Sequence, residues 1–191
     1  MNVRIGTRGS DLALWQAHHV AGRLAPEAEC EIVVIETKGD AIDTKPLVQV
    51  EGKAFFTAEI ERALLDGDVD LAVHSHKDLE TQNPDGLLVV AVPVRAPAHE
   101  MLLIRPEAHD PAGALLPLVE GASVGTSAPR RKASLVTLRP DLRTGDLRGN
   151  VPTRVRRLTE GRYDAVILAA AGLERLQLDL SGLVAVPLAP D

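Results

Sequence analysis

The chain repeats a pattern, and the repeat limits the fold more than any single motif. VRIGTRGSDLAL near the start and ASVGTSAPRRKASL in the second half share one order: an apolar strand, a Gly-Thr pair, small polar residues, then a helix. LLDGDVDLAVHS and LTEGRYDAVILA share another: a helix end, a glycine, an aspartate and a buried-type strand. Units of this kind build open α/β sheets, and two sets of them predict two similar α/β domains. Ligands of such sheets bind beyond the carboxyl ends of the strands, so the expected site is a cleft lined by both Gly-Thr turns and by the ends of the two Asp-led strands. PVRAPAH, Pro93 to His99, reads as the linker, giving a first domain over 1–94 and a second over 99–186.

Taken in order, Val3 to Gly6 predicts a strand and Asp11 to Leu24 a helix, with Ser10 as N-cap, Ala13, Ala17, Val20 and Leu24 on one face, and Pro26 beyond its end. Glu31 to Glu36 predicts a second strand, Gly39 to Lys53 a long mobile loop, and Phe56 to Leu64 a helix closed by Gly67. Asp70 to His74 and Leu87 to Val92 read as strands buried on both faces. In the second half the predicted strands are Met101 to Ile104, Ala122 to Gly125, Leu142 to Leu147 and Asp164 to Ala169. Helical stretches are expected near Ala112 to Leu118, from Pro129 to Pro140, from Pro152 to Gly161, and from Ala171 to Leu178.

Charge is distributed unevenly. The net charge is -6, yet between Thr126 and Arg157 eight arginines and Lys132 face only Asp141 and Asp146. Guanidinium forks bind carboxylates bidentately, so this patch suits a small ligand with several carboxylates. One Trp, one Tyr and two Phe leave little surface for stacking bases, which argues against single-stranded nucleic acid. Arg8 and Ser10 flank the first Gly-Thr turn; Ser127, Arg130 and Arg131 flank the second, where backbone N-H groups at a helix start also favour an anion. These turns read equally as plain helix caps. Arg154 and Arg157 share a helix side opposite Val151, Val155 and Leu158, and Arg148 lies in the turn RGN. Lys77 and Asp78 follow the end of an Asp-led strand, either as working residues or as ordinary solvated ones. His74 and His76 alternate without a third ligand at a helpful spacing, so no metal is expected. A lone cysteine, Cys30, cannot form an intramolecular disulfide, and no apolar run of about 18 residues or signal-like start is present; together these predict a cytoplasmic protein.

RIGTRGSDLALWQA, GKAFF, DLAVHSHKDL, VGTSAPRRKASL, LRGNVPTR and YDAVILAAAGLERL, spread from Val3 to Leu178, resemble the porphobilinogen deaminase (hydroxymethylbilane synthase) family. The resemblance implies two domains of the type II periplasmic-binding-protein kind, followed by a third, α+β domain whose cysteine holds a dipyrromethane cofactor. It implies head-to-tail condensation of four porphobilinogen units with release of ammonia, in a monomeric enzyme of tetrapyrrole and haem biosynthesis that binds neither nucleic acid nor membrane. By matched position, Asp78 is the catalytic carboxylate, beside the pyrrole N-H groups and the electron-poor azafulvene-like intermediate. Lys53, Lys77, Ser127, Arg130 and Arg131 hold cofactor carboxylates, and Arg8, Ser10, Arg148, Arg154 and Arg175 grip substrate acetates and propionates. The chain departs from the family pattern at Glu51-Gly52, Ala58, Ala128-Pro129 and Glu80.

No segment here matches the cofactor-bearing domain, so the expectation is a truncated form with little turnover of its own and a first domain prone to associate through exposed apolar surface. The other reading is a non-catalytic two-domain binder of a small polycarboxylate, for which an anion at Asp78 would have no use. Intact-mass analysis of the chain after incubation with porphobilinogen is expected to show no thioether-linked dipyrromethane.

Overall fold

The computed structural model describes residues 1–41, 56–113 and 115–188. The chain divides into two compact units, one ending at Val94 and one resuming at Arg95. The first holds β1 (Asn2–Thr7), α1 (Asp11–Leu24), β2 (Glu29–Val34), a short α2 (Lys38–Ala41), α3 (Ala58–Leu65) and β3 (Leu71–Ala72). Its sheet runs β2-β1-β3, all parallel. Ala17, Val20, Ala21 and Leu24 of α1 pack over Val3, Ile5 and Ile32, so the apolar stripe read from the sequence is the face that meets the sheet. Gly67, with φ +77°, closes α3 and turns the chain into β3.

The second unit holds β4 (Glu100–Ile104), β5 (Ser123–Gly125), α4 (Pro129–Leu138), β6 (Arg143–Gly145), α5 (Val151–Thr159), β7 (Ala165–Ala169), α6 (Ala170–Leu176) and β8 (Val184–Leu188). Its sheet order is β6-β5-β7-β4-β8; β5 runs parallel to β6 and β7, while β4 runs antiparallel to β7 and β8. Alternate residues of the central strands feed two cores. Leu102, Ile104, Ala165 and Ile167 pack with Leu135 of α4, and Leu103, Val166 and Leu168 pack with Val155 and Leu158 of α5 and Leu173 of α6. A strand covered on both faces reads as continuous apolar sequence, which is why LLI and AVILA show no alternation. Pro187 is tolerated because β8 is an edge strand in this unit.

The internal repeat extends to individual hydrogen bonds. Asp70, just before β3, accepts the Arg4 backbone N-H at 2.7 Å, and Asp164, just before β7, accepts that of Ser123 at 2.7 Å. Arg4 and Ser123 hold the same place in β1 and β5, three residues before Thr7 and Thr126, which are both buried. The second residues' side chains join in: the Arg4 guanidinium ion-pairs Asp70 at 2.8 Å, and the Ser123 hydroxyl donates to Asp164 at 2.7 Å.

Several expectations are corrected. Leu87 to Val92 is no buried strand. It forms no ladder among the described residues, and Leu88, Val90 and Val92 are 70%, 79% and 66% exposed. Apolarity marks a segment that would gain from a neighbour, and no described strand of this unit lies beside it. The strand predicted from Asp70 to His74 pairs over two residues only, both half-buried. Among the described residues no helix forms near Ala112 to Leu118: His109 bridges Leu118, and the Arg139 guanidinium takes the carbonyls of Leu116 and Leu118 at 3.0 and 3.3 Å. Pro117 supplies no N-H for a helical ladder there. β2 begins two residues earlier than predicted, and Ser10 occupies the N-cap position of α1 without a side-chain capping bond. Gly39 lies in α2; positions 42–53 of the expected loop fall outside the described residues.

The strand-leading carboxylates make stability acid-sensitive. The Arg4 guanidinium and backbone N-H hold Asp70 down to about 2, and hydrogen bonds from Ser123 lower Asp164. A carboxylate lowered in the folded state contributes stability above its unfolded value of about 3.9 and loses it as pH falls through the folded value. In chemical denaturation the contribution of these carboxylates is therefore expected to be constant above about pH 5 and to decline from about pH 4 toward 2. Asp164→Asn is expected to cost about 1 kcal/mol at neutral pH and to shrink that decline.

Candidate functional site

In the second unit Arg130, Arg131, Arg148 and Arg154 lie on the segments that follow the carboxyl ends of the parallel strands β5 and β6. After β5, Thr126 donates its N-H to the Gly145 carbonyl at 2.8 Å, and its hydroxyl accepts the Ala128 N-H at 3.3 Å. Pro129 then opens α4, which places Arg130 and Arg131 in its first turn. The Ser127 hydroxyl donates to the Leu147 carbonyl, tying the β5-α4 turn to the β6-α5 turn. Arg131 is 14% exposed, donates to the Ile167 carbonyl of β7 at 3.1 Å, and ion-pairs Glu100, the first residue of β4. Arg130, 83% exposed, reaches the other oxygen of Glu100 at 3.1 Å. Two successive forks thus converge on one carboxylate.

The neighbouring turn is arranged by its own arginines. Arg154 donates to the Gly149 carbonyl at 2.7 Å, and Arg157 to that of Arg148 at 2.8 Å. Asn150 caps α5 by accepting the Thr153 N-H at 3.0 Å, and Gly149 has φ +92°, in the left-handed region that favours glycine. A Cβ at Gly149 would also lie 2.7 Å from the Thr153 methyl. Beneath, the Tyr163 ring covers Gly125 and Gly145 so closely that a Cβ at either would stand 3.0 or 2.7 Å from it, and its hydroxyl donates to the Asp146 carbonyl at 2.6 Å. Lys132 ion-pairs Asp146, and Arg175 lies on α6, directly after β7.

In the first unit, the turn after β1 carries Arg8 and Ser10, and the loop after β3 carries His74 to Asp78. Val73 donates to the Gly6 carbonyl at 3.1 Å, and the Gln16 amide of α1 donates to the Ser75 hydroxyl at 2.9 Å, so the loop is tied to β1 and α1, the two elements that flank the turn. His76, Lys77 and Asp78 form one 3-10 turn and are exposed. The Arg8 guanidinium lies 4.2 Å from the centre of the Phe56 ring, a cation-π contact. His74 is half-buried, with a buried Nε2 that has no hydrogen-bond partner among the described residues. Desolvation pushes its pKa down, the Asp78 charge opposes this, and the Arg8 charge adds to it, so the three groups lie within electrostatic reach.

Ser127, Arg130, Arg131, Arg148 and Arg154 are therefore grouped on joined segments of the second unit, and Arg8, Ser10, Lys77 and Asp78 lie on the segments after β1 and β3, two neighbouring parallel strands of the first. Lys53 lies outside the described residues. Sequence reasoning missed Glu100, Gln16 and Phe56. Gln16 and Phe56 fall inside quoted motifs, but no spacing rule ties Gln16 to Ser75 or Phe56 to Arg8. Glu100 carries no local signal, since its partners lie 30 and 31 positions along the chain.

A family model described as "Porphobilinogen deaminase, dipyromethane cofactor binding domain" matches residues 3–189. The chain is 49% identical over 177 residues to a porphobilinogen deaminase of Nitratidesulfovibrio vulgaris, covering 91% of this chain and 54% of that protein. It is 49% identical over 180 residues to one of Acidithiobacillus ferrooxidans (93% and 57%), and 50% identical over 177 residues to one of Geobacter sulfurreducens (91% and 54%). The chain thus spans little more than half the length of these relatives. Among solved structures, an ancestral arginine-binding protein bound to arginine matches with TM-score 0.50 and 14% identity, over 97% of this chain and 78% of that one. The probable amino-acid ABC transporter extracellular-binding protein ytmK of Bacillus subtilis matches with TM-score 0.50 and 13% identity, over 99% and 78%. These likenesses establish the fold, that of type II periplasmic binding proteins.

Gly149→Ala is expected to lower stability by about 1–3 kcal/mol, because the added methyl meets Thr153 in a backbone conformation it disfavours. Thermal unfolding of the variant against the parent measures this.

Proposed function

The chain belongs to the porphobilinogen deaminase family, and from that premise we propose that it binds the carboxylates of porphobilinogen and its oligomers and supplies the carboxylate that assists the loss of ammonia. One observation carries the reading: an acidic chain gathers guanidinium groups on joined turns at the carboxyl ends of β5, β6 and β7. Each pyrrole unit of this chemistry bears an acetate and a propionate, and planar forks on a fixed frame suit such ligands better than flexible lysines would.

The dipyrromethane of the family fits the residues present. Arg130 and Arg131 converge on the two oxygens of one side-chain carboxylate, so their spacing accepts that group. Lys53, Lys77, Ser127, Arg130 and Arg131 would hold its carboxylates, while Arg8, Ser10, Arg148, Arg154 and Arg175 would bind those of the substrate. When bound, the group supplies the primer to which pyrrole units are added. Asp78 lies on the exposed turn after β3 and accepts hydrogen bonds from pyrrole N-H groups. Its charge stabilises the positive charge that develops on a substrate ring as the aminomethyl C-N bond breaks and ammonia leaves. The ring of Phe56 against Arg8 limits the orientations of that guanidinium before a carboxylate arrives.

Partner and location follow from this reading. The substrate is a free small molecule, and no helix among the described residues is long and apolar enough to cross a membrane. We place the reaction in the cytoplasm, in a monomeric enzyme, with residues 1–94 and 99–186 as its two working domains.

In a full-length form that carries the cofactor-bearing domain, Asp78→Asn is expected to cut ammonia release from porphobilinogen about hundredfold or more, while calorimetric binding of porphobilinogen to the chain stays equal or tightens. Undiminished release would remove Asp78 from the chemistry. Failure of the folded chain to bind porphobilinogen at all would overturn the proposed function.

A further inference from the structure

Glu100 stands where a ligand carboxylate is proposed to bind. Each of its oxygens takes one guanidinium nitrogen, Oε1 from Arg130 and Oε2 from Arg131, and its side chain is 22% exposed. Its backbone cannot drift away, because Glu100 pairs with Ala169 of β7 on one side and Leu188 of β8 on the other. The two arginines are held unequally. Arg131 is 14% exposed and anchored to the Ile167 carbonyl, whereas Arg130 is 83% exposed and among the described residues ion-pairs Glu100 alone.

We propose that Glu100 is a built-in competitor for the Arg130-Arg131 fork, so that a ligand carboxylate entering this subsite must take Arg130 from it. The inference rests on the carboxylate-binding reading given above and goes beyond it, because it assigns an affinity-setting role to a residue outside the binding set. Two adjacent guanidinium groups, the buried Arg131 and the exposed Arg130, would without a counter-charge draw in a carboxylate through charge-assisted hydrogen bonds. A tethered carboxylate at high effective concentration weakens that grip, since the apparent affinity falls with the fraction of fork that is released. Arg131, kept by Glu100 and Ile167, remains the fixed half of the fork; Arg130 is the half that changes partner.

Calorimetric titration of the chain with porphobilinogen, and with glutarate as a plain dicarboxylate, tests the assignment. Glu100→Gln keeps the shape and an acceptor for Arg131 but removes the charge, and is expected to tighten both ligands about three- to tenfold. In an Arg130→Gln background the same change is expected to have little effect. Glu100→Asp, whose shorter stem draws back from Arg130, is expected to give a smaller gain and serves as the second variant should Glu100→Gln not fold. If the parent binds porphobilinogen and folded Glu100→Gln binds it no more tightly, or more weakly, Glu100 is only a structural support and the inference is overturned alone. If neither protein binds either carboxylate, the inference falls together with the proposed function.

Discussion

One contact made twice aligns each sheet: an aspartate at the head of a strand accepts the backbone N-H of the neighbouring central strand. Asp70 does this for Arg4, and Asp164 for Ser123. Both bonds sit at the amino ends of parallel strands, where a ladder would otherwise leave a donor facing solvent. Fixing register there also fixes where the strands end, since side chains alternate and a one-residue slip would reverse every face. The Gly-Thr turns, the RGN turn and the loop carrying Asp78 all hang from those far ends. The pinned register and the placed loops are two ends of one constraint.

The second organising feature is how the arginines are used. Arg139 holds the 116–118 segment through two carbonyls, Arg154 and Arg157 hold the turn at Arg148 and Gly149, and Arg131 reaches β7. A basic patch that looked in sequence like free charge is therefore in part a scaffold for its own loops. This removes side-chain freedom before any carboxylate is met and lowers the ordering cost of binding. Glu100 belongs to the same economy, balancing charge where two forks adjoin.

The apolar run from Leu87 to Val92 shows where reading by composition fails. A strand buried on two faces and an uncovered apolar segment have the same sequence signature; they differ only in what lies beside them. In the second unit β7 has α4, α5 and α6 over its faces and strands on both sides, so AVILA is buried. In the first unit LLVVAV lies beyond a two-residue β3, and no described strand reaches it. The failed helix before Leu118 has a local cause, the missing N-H of Pro117, and a distant one, since Arg139, 21 and 23 residues along, holds the segment by its Leu118 and Leu116 carbonyls.

Local chemistry by itself determined much of this protein. The repeat of strand, Gly-Thr turn and helix, the α1 stripe, Pro129 and Pro152 at helix starts, Gly67 and Gly161 at helix ends, and the family motifs all act within a few residues, where sterics and periodicity leave little choice. The gathering of Ser127, Arg131 and Arg148 around joined turns, the pairing of Gln16 with Ser75, and the placing of Glu100 between two guanidinium groups were decided only by tertiary structure. Each joins residues far apart in the chain, and their meeting depends on strand order and register, which no single segment encodes.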